Sequence, residues 1–300
     1  MKEKNFKVEV ITPTIMGGAD SKEIDSMRIR LSEIKSMMRY AFRTVAGKYI
    51  NHNNDMKKLL EVEGKIFGDT SCKSDFKMLV ENTENLKINW IKLLPHKSSF
   101  SKQAILPNQT FDLTLISNSY PIEFYESLLN LAFLFGVGNR RNRLNGNLQI
   151  NYNLSIAEDI KRISDVCKDL FKTNQEIKTD EPLYPTFTFR KDDQKNYLVY
   201  SMPLKKDFVE KNLNFENILK SLYEKVIHEI EKKGEFSKIL GSSNPRQASF
   251  VNFSIQKTKE NFYKLYLIAF YYKNRNFDYS TWKGAVDKIK EQAEETFKGS

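Results

Sequence analysis

Hydrophobic positions in this chain first repeat every second residue and then every three or four. Phe6, Val8 and Val10 alternate with polar residues and run into Ile11, which predicts a strand ended by Thr12–Pro13. A loop with Gly17–Gly18 follows. From Ser32, the apolar residues Ile34, Met37, Met38, Ala41 and Val45 recur at helical spacing, with Gly47 near the end. Asn51–Asn54 break the chain, and Met56–Ile66 predicts a shorter helix before Phe67–Gly68. Residues 86–94 and 104–116 read as two strands, the second interrupted near Pro107. Pro121 opens a helix whose apolar face is Phe124, Leu128, Leu131 and Phe135, and Leu148 and Ile150 begin another strand. The order is β-α-(α)-β-β-α-β, the split βαβ pattern of a ferredoxin-like unit.

The second half repeats the style without repeating the sequence. Ser155–Leu170 is amphipathic and helical, and Thr173–Pro185 is a polar, proline-marked loop. Strands at 186–190 and 196–202 flank Asp192–Asp193 as a hairpin. Ile218, Leu222, Val226 and Ile230 place a helix over 215–232. Ser249–Gln256 and Phe262–Tyr272 predict a second hairpin, and Trp282–Phe297 a closing helix. We therefore expect an α+β fold of two ferredoxin-like domains packed side by side, residues 1–152 and 153–300. No low-complexity linker separates them, so they should share an interface.

Composition narrows the class. Of the 300 residues 40% are hydrophobic and 12% aromatic, enough for a real core. No apolar run approaches the roughly 20 residues of a membrane helix, and the charged start lacks a signal peptide's apolar stretch. Cys72 and Cys167 are the only cysteines, too few for a disulfide framework or a CxxC metal site. These features point to a cytoplasmic protein that needs no metal or cofactor.

Charge changes the picture more. There are 48 Lys plus Arg against 38 acidic residues, a net +10, which suggests a polyanionic partner. Lysine is used almost everywhere, whereas seven of the 11 arginines fall in two windows. Arg28, Arg30, Arg39 and Arg43 make one; Arg140, Arg141 and Arg143 make the other. The guanidinium fork matches phosphate and stacks on bases, which an ammonium cannot do. On the helix from Ser32, Lys35, Arg39 and Arg43 form a ridge beside the buried stripe, with no acidic partner four residues away. A ridge of this kind is a phosphate-binding edge or a solvated basic face. Gly17–Gly18, Arg28 and Arg30 precede that helix's positive end. The second window is the loop from Gly136 to Gly146, with glycines at both ends and three arginines between them. It has neither a Walker nor a dinucleotide pattern, and it reads as a clamp on a nucleic-acid backbone.

These residues carry a resemblance. Thr12–Pro13, Gly17–Gly18–Ala19–Asp20, Arg30, the Ile34–Lys35 to Arg39 to Arg43 run, Glu63, Phe67–Gly68 and the glycine–arginine loop resemble the RAMP proteins of CRISPR effector complexes, especially the first subunit of the type III-B (Cmr) complex. Pro245–Arg246–Gln247–Ala248–Ser249 is similar to a further element of that family. The chain departs from the family pattern at Leu31, Ser32 and Ser36, and at Asn142 and Leu144 in the loop. Because Leu resists positive φ, Leu144 implies a different loop path, with Asn145 taking the left-handed position.

The resemblance implies a non-catalytic subunit that contacts CRISPR RNA near its 3′ portion, or target RNA, beside other subunits of the effector. Its RNA-binding residues would be Gly17, Gly18, Arg30, Lys35, Arg39, Arg43, Arg140, Arg141, Arg143, Arg246 and Ser249. The alternative within the family is a metal-independent RNA-processing endoribonuclease with histidine as acid or base, and His52 in its Asn-rich loop is the candidate. His96 and His228 read as structural or surface residues. Asp20, Asp25, Asp69 and Asp75 lack a His or Cys at ligand spacing. Tyr263, Tyr266 and Phe270 to Tyr272 suggest either a base-stacking sheet or core filling, and core filling is the simpler account.

Overall fold

The computed structural model describes residues 1–17, 22–24, 28–49, 56–93, 101–152, 155–172, 187–188, 195–205, 208–209, 213–232, 240, 242–243, 246–247, 251–259, 262–270 and 279–299. For 48, 56, 187–188, 195–200, 232, 242–243, 246–247, 259 and 270 it describes the backbone alone. Gly18, His52, His96, Asp20, Asp25, Asp192–Asp193, Ser249 and Tyr271–Tyr272 lie outside the described residues.

The first sheet is built from β1 (Lys2–Val10), β2 (Phe76–Glu81), β5 (Gln109–Ser117) and β6 (Leu148–Gln149), in the spatial order β2-β5-β1-β6 with every neighbour antiparallel. Alternation decides its faces. Phe6, Val8, Val10, Phe76, Met78, Phe111, Leu113 and Leu115 point inward onto α1 (Leu31–Ala46) and α3 (Ile122–Phe135). The outward face alternates Glu3, Lys7 and Glu9 with Asp112, Lys77 and Glu81, and no outward position of these strands is aromatic. It is therefore not a stacking platform.

The alternation at Phe76, Met78 and Val80 is short, too short for the sequence alone to predict β2. The segments expected as strands two and three divide differently. β3 (Ile88–Lys92) and β4 (Ser101–Ile105) form a separate two-stranded hairpin, and the break at Pro107 separates β4 from β5. Pro121 stands one residue before α3, and from Phe124 to Phe135 that helix is buried on every side, not on one face. It is enclosed by the first sheet, α1, α4 (Ile156–Phe171) and the second sheet.

Ser155 caps α4 by accepting a hydrogen bond from the Glu158 N–H. A division at residue 152 assigns α4 to the second unit, yet Ile156, Ile160, Ile163, Cys167 and Phe171 pack into the first core. The reason is the helix's own apolar stripe, which has α3 and α1 to cover it. Asp159, in the first turn of α4, is buried there. Asn130 Nδ2 donates to its Oδ1 at 3.1 Å, and its Oδ2 has no partner.

The second sheet orders β11 (Val251–Lys259), β12 (Phe262–Phe270), β8 (Lys195–Pro203) and β7 (Phe187–Thr188), again antiparallel throughout. Phe253, Ile255, Leu265, Leu267 and Met202 face a second core with α7 (Tyr279–Phe297) and the helical run α5 (Phe215–Ser221), a π-turn (Leu222–Ile227) and α6 (His228–Lys232). Tyr266 and Ile268 face the other way and join the first core, so the tyrosines of β12 fill cores. Side-chain amides stitch the seam. Asn147 Oδ1 accepts from the Ile255 N–H at 3.0 Å, and Gln149 Oε1 accepts from the Lys257 N–H at 2.8 Å. Gln256 Nε2 donates to the Leu148 carbonyl, and Lys257 pairs with Glu9 at 3.1 Å.

Candidate nucleic-acid interface

Helical geometry sets the first half of the site. At about 100° per residue, Lys35, Arg39 and Arg43 climb one border of α1's exposed face, while Met37 and Tyr40 lie on its other border. Ser36, exposed, sits between. Each cation lies against the protein. Lys35 Nζ is 5.3 Å from the Phe76 ring centre, and the Arg39 guanidinium is 5.4 Å from that of Phe67. Burial, reinforced by the Arg39 charge, pulls the Lys35 pKa below its ordinary value.

The ridge does have an acidic partner, one remote in sequence. Glu63, on α2 (Met56–Phe67), is 2% exposed and faces α1. Arg43 donates to it twice, Nη2 to Oε1 at 2.7 Å and Nε to Oε2 at 2.5 Å. These hydrogen bonds raise the Arg43 pKa. Arg39 Nε lies 3.5 Å from the same Oε1, and its Nη2 donates to the Gly68 carbonyl at 2.9 Å. The pairing crosses two helices, so no search at i,i+4 could find it.

The second half is the glycine–arginine loop. It is sewn to the 11–16 segment: Asn139 N–H donates to the Ile15 carbonyl and Gly146 N–H to the Pro13 carbonyl, both at 2.9 Å. Glycine is required at two places. A Cβ on Gly138 would stand 2.3 Å from the Ile15 oxygen, and one on Gly146 would stand 1.8 Å from the Val137 oxygen; both residues have positive φ. Leu144 itself takes φ +68°, contrary to the reading that passed this role to Asn145. Its fully buried side chain anchors in the second core, which offsets the backbone strain.

That left-handed turn splits the three arginines. Arg140 is exposed, with φ +60°. Arg141 folds back onto α1, its guanidinium 5.0 Å from the Tyr40 ring centre and its Nη1 3.1 Å from Met37 Sδ. Arg143 points the other way. Its Nη2 donates to the Leu240 carbonyl at 2.7 Å and its Nη1 reaches the Val251 carbonyl at 3.5 Å, while its backbone bridges Phe253. Burial pushes its pKa down. Arg143 thus ties the glycine–arginine loop to the second core.

Arg30 is also occupied: its Nη1 donates to the Gly17 carbonyl, so both shape the approach to α1. Arg28 donates to the Leu86 carbonyl. Arg246 lies in β10 (Arg246–Gln247), which pairs with β9 (Ser242–Ser243), and only its backbone is described. The structure does not bring Arg246 to α1 by any described contact. A cleft of about 720 Å³ beside β3 and the start of α5 is lined by Pro13, Ile91, Leu106, Pro107, Leu213 and Phe215 among others, and by none of the sequence-predicted site residues. Among the described residues no group of three His, Cys, Asp or Glu is arranged to hold a metal, and no helix is long and apolar enough to cross a membrane. His228 contacts Glu231 on the surface of α6, away from both windows in sequence.

The family model described as "RAMPs: RAMP superfamily" matches residues 7–197, more than half of the chain. The chain belongs to the RAMP superfamily. Two relatives are proteins of Pyrococcus furiosus. CRISPR system Cmr subunit Cmr1-2 is 43% identical over 74 residues, 25% of this chain and 37% of the relative. CRISPR system Cmr subunit Cmr1-1 is 28% identical over 195 residues, 59% of this chain and 54% of the relative. The RAMP chain thus spans about half the length, or less, of the curated relatives it matches. Among solved structures, the apo crystal structure of Cmr1 from Pyrococcus furiosus superposes with a TM-score of 0.56 at 19% identity, covering 97% of each chain. A chain of the type III-B Cmr-β complex bound to cognate target RNA gives 0.53 at 12% identity, covering 96% of this chain and 98% of that one. At these identities the superpositions speak to the RAMP fold alone.

Proposed function

We propose that this RAMP protein is a non-catalytic RNA-binding subunit of a type III-B (Cmr) CRISPR effector complex, contacting CRISPR RNA, target RNA or both. It would do so with two ferredoxin-like domains. The first joins β1, α1, β2, β5, α3 and β6 and keeps α4; the second begins after α4 and takes its fourth strand, β7, from before β8. The similarity to Cmr1 supports membership of the complex.

The observation that carries the RNA reading is the seat of Arg141 on Tyr40. Through it, the glycine–arginine loop and the basic ridge border one exposed strip of α1. Lys35, Arg39, Arg43 and Arg141 border that strip, with Arg140 exposed on the same loop, against Glu33, Glu63 and Asp69. Arg141 over Tyr40 also offers a flat surface to a base. In this reading Gly17 and Arg30 shape the rim, and Arg246 and Ser249 are contributions from the second domain.

Equilibrium binding of the full chain to single-stranded RNA in EDTA, across a salt series, tests it. Wild type should bind with a steep salt dependence and leave the RNA intact, and Arg140→Ala with Arg141→Ala should lower the slope by about 1–2. An unchanged slope and affinity in the double variant would remove the loop from the interface. Discrete RNA products would favour the processing endoribonuclease.

A further inference from the structure

We infer that Glu63 is a positioning residue for RNA phosphates, an acid that strengthens the binding of an acidic ligand. The inference rests on the RNA-binding reading above and names the device that makes the α1 ridge usable.

Glu63 is 2% exposed, so a phosphate in solvent cannot take its place between α1 and α2. Its two oxygens are spent on the inner edges of the guanidinium groups. Oε1 accepts from Arg43 Nη2 and lies 3.5 Å from Arg39 Nε, and Oε2 accepts from Arg43 Nε. Both pairings leave the Nη1 side of Arg43 free of Glu63, on a side chain that is 49% exposed.

Arg39 is held a second time. Its Nη2 donates to the Gly68 carbonyl at 2.9 Å and approaches that of Phe67, and its plane lies over the Phe67 ring. Gly68 has φ +78°, and a Cβ there would meet the Ser74 nitrogen at 2.8 Å, so glycine is needed to turn this carbonyl toward Arg39. Glu63, Phe67 and Gly68 therefore act together from one end of α2. They fix two long side chains that would otherwise lose rotamer freedom only when RNA arrives. Each arginine meets the phosphate already extended, with its inner donors satisfied and its outer ones presented.

The test inverts the sign that net charge alone gives. Glu63→Gln removes one negative charge from the site, and simple electrostatics predicts tighter RNA binding. Positioning predicts the reverse: single-stranded RNA should bind about five- to tenfold more weakly, because the amide keeps one acceptor oxygen and turns an NH2 donor toward a guanidinium N–H that Glu63 now satisfies. Glu63→Asp keeps the charge but withdraws it by one methylene, and it should weaken binding by a smaller factor. It also serves if the glutamine variant does not fold, as judged by circular dichroism and thermal midpoint.

The loss should vanish when Glu63→Gln is placed on Arg39→Ala with Arg43→Ala. Unchanged or tighter binding in both Glu63 variants would overturn the inference, as would an equal loss in the arginine-free background. Failure of the parent reading looks different: Arg39→Ala with Arg43→Ala would then leave affinity and salt slope at the wild-type values.

Discussion

Arg143→Ala should lower the thermal midpoint by roughly 5–10 °C while leaving RNA affinity per folded molecule within about twofold of wild type. The expectation separates Arg143 from its two neighbours in a window that the sequence presents as one cluster. Its guanidinium donates to the Leu240 and Val251 carbonyls of the second unit and to the Asn142 carbonyl of its own loop. Alanine strips the donor from the Leu240 carbonyl and leaves a void at the join. Losing a charged, partly buried hydrogen-bonding group of this kind costs about 2–4 kcal/mol. Thermal melts and RNA titrations of the same preparation decide it. A variant that melts like wild type but loses RNA would return Arg143 to the interface.

Asp159→Asn should stabilise the protein at pH 8 and have little effect near pH 4. Burial pushes the Asp159 carboxyl up to about 7, against the hydrogen bond from Asn130 and the Arg162 charge. The sign follows from linkage. A carboxyl whose folded pKa lies above its unfolded value is protonated in both states below pH 4, and there it costs nothing. Between pH 4 and 7 the unfolded chain releases the proton while the folded one keeps it, so stability falls with rising pH. Above 7 the folded protein carries a buried charge, at a cost on the order of 4 kcal/mol for a shift of this size. Asparagine has no such titration. The difference in unfolding free energy between variant and wild type, followed by denaturant titration from pH 4 to 8, should grow toward high pH. A flat difference would mean that Asp159 is ionised in the folded protein throughout.

The strands and helices with sustained periodicity were legible before any coordinates. β1, α1, α4, the helical run from Phe215 and α7 lie within a few residues of where the hydrophobic spacing puts them. What escaped was set by contacts remote in sequence. β2 has only three alternating apolar residues and exists because β5 is there to pair with it. α4 sits between units in sequence, and only its packing against α3 assigns it to the first core.

The candidate site was half legible for a similar reason. Arginine placement marked both windows, and Arg141 does reach α1. The partition of Arg140, Arg141 and Arg143 could not be read, because it depends on left-handed turns at Arg140 and Leu144 that composition disfavours. Glu63 was visible as a residue but not as the partner of Arg39 and Arg43. That pairing needs α2 to lie across α1.

In the proposed reading, RNA lies on α1's exposed strip, bordered by the basic ridge and by the glycine–arginine loop. Site-specific photocross-linking measures this directly. A benzophenone side chain at position 36, in place of Ser36, should cross-link bound single-stranded RNA, whereas the same group at Asn5, on the outward face of the first sheet, should not. Cross-links at position 5 with none at position 36 would contradict the account.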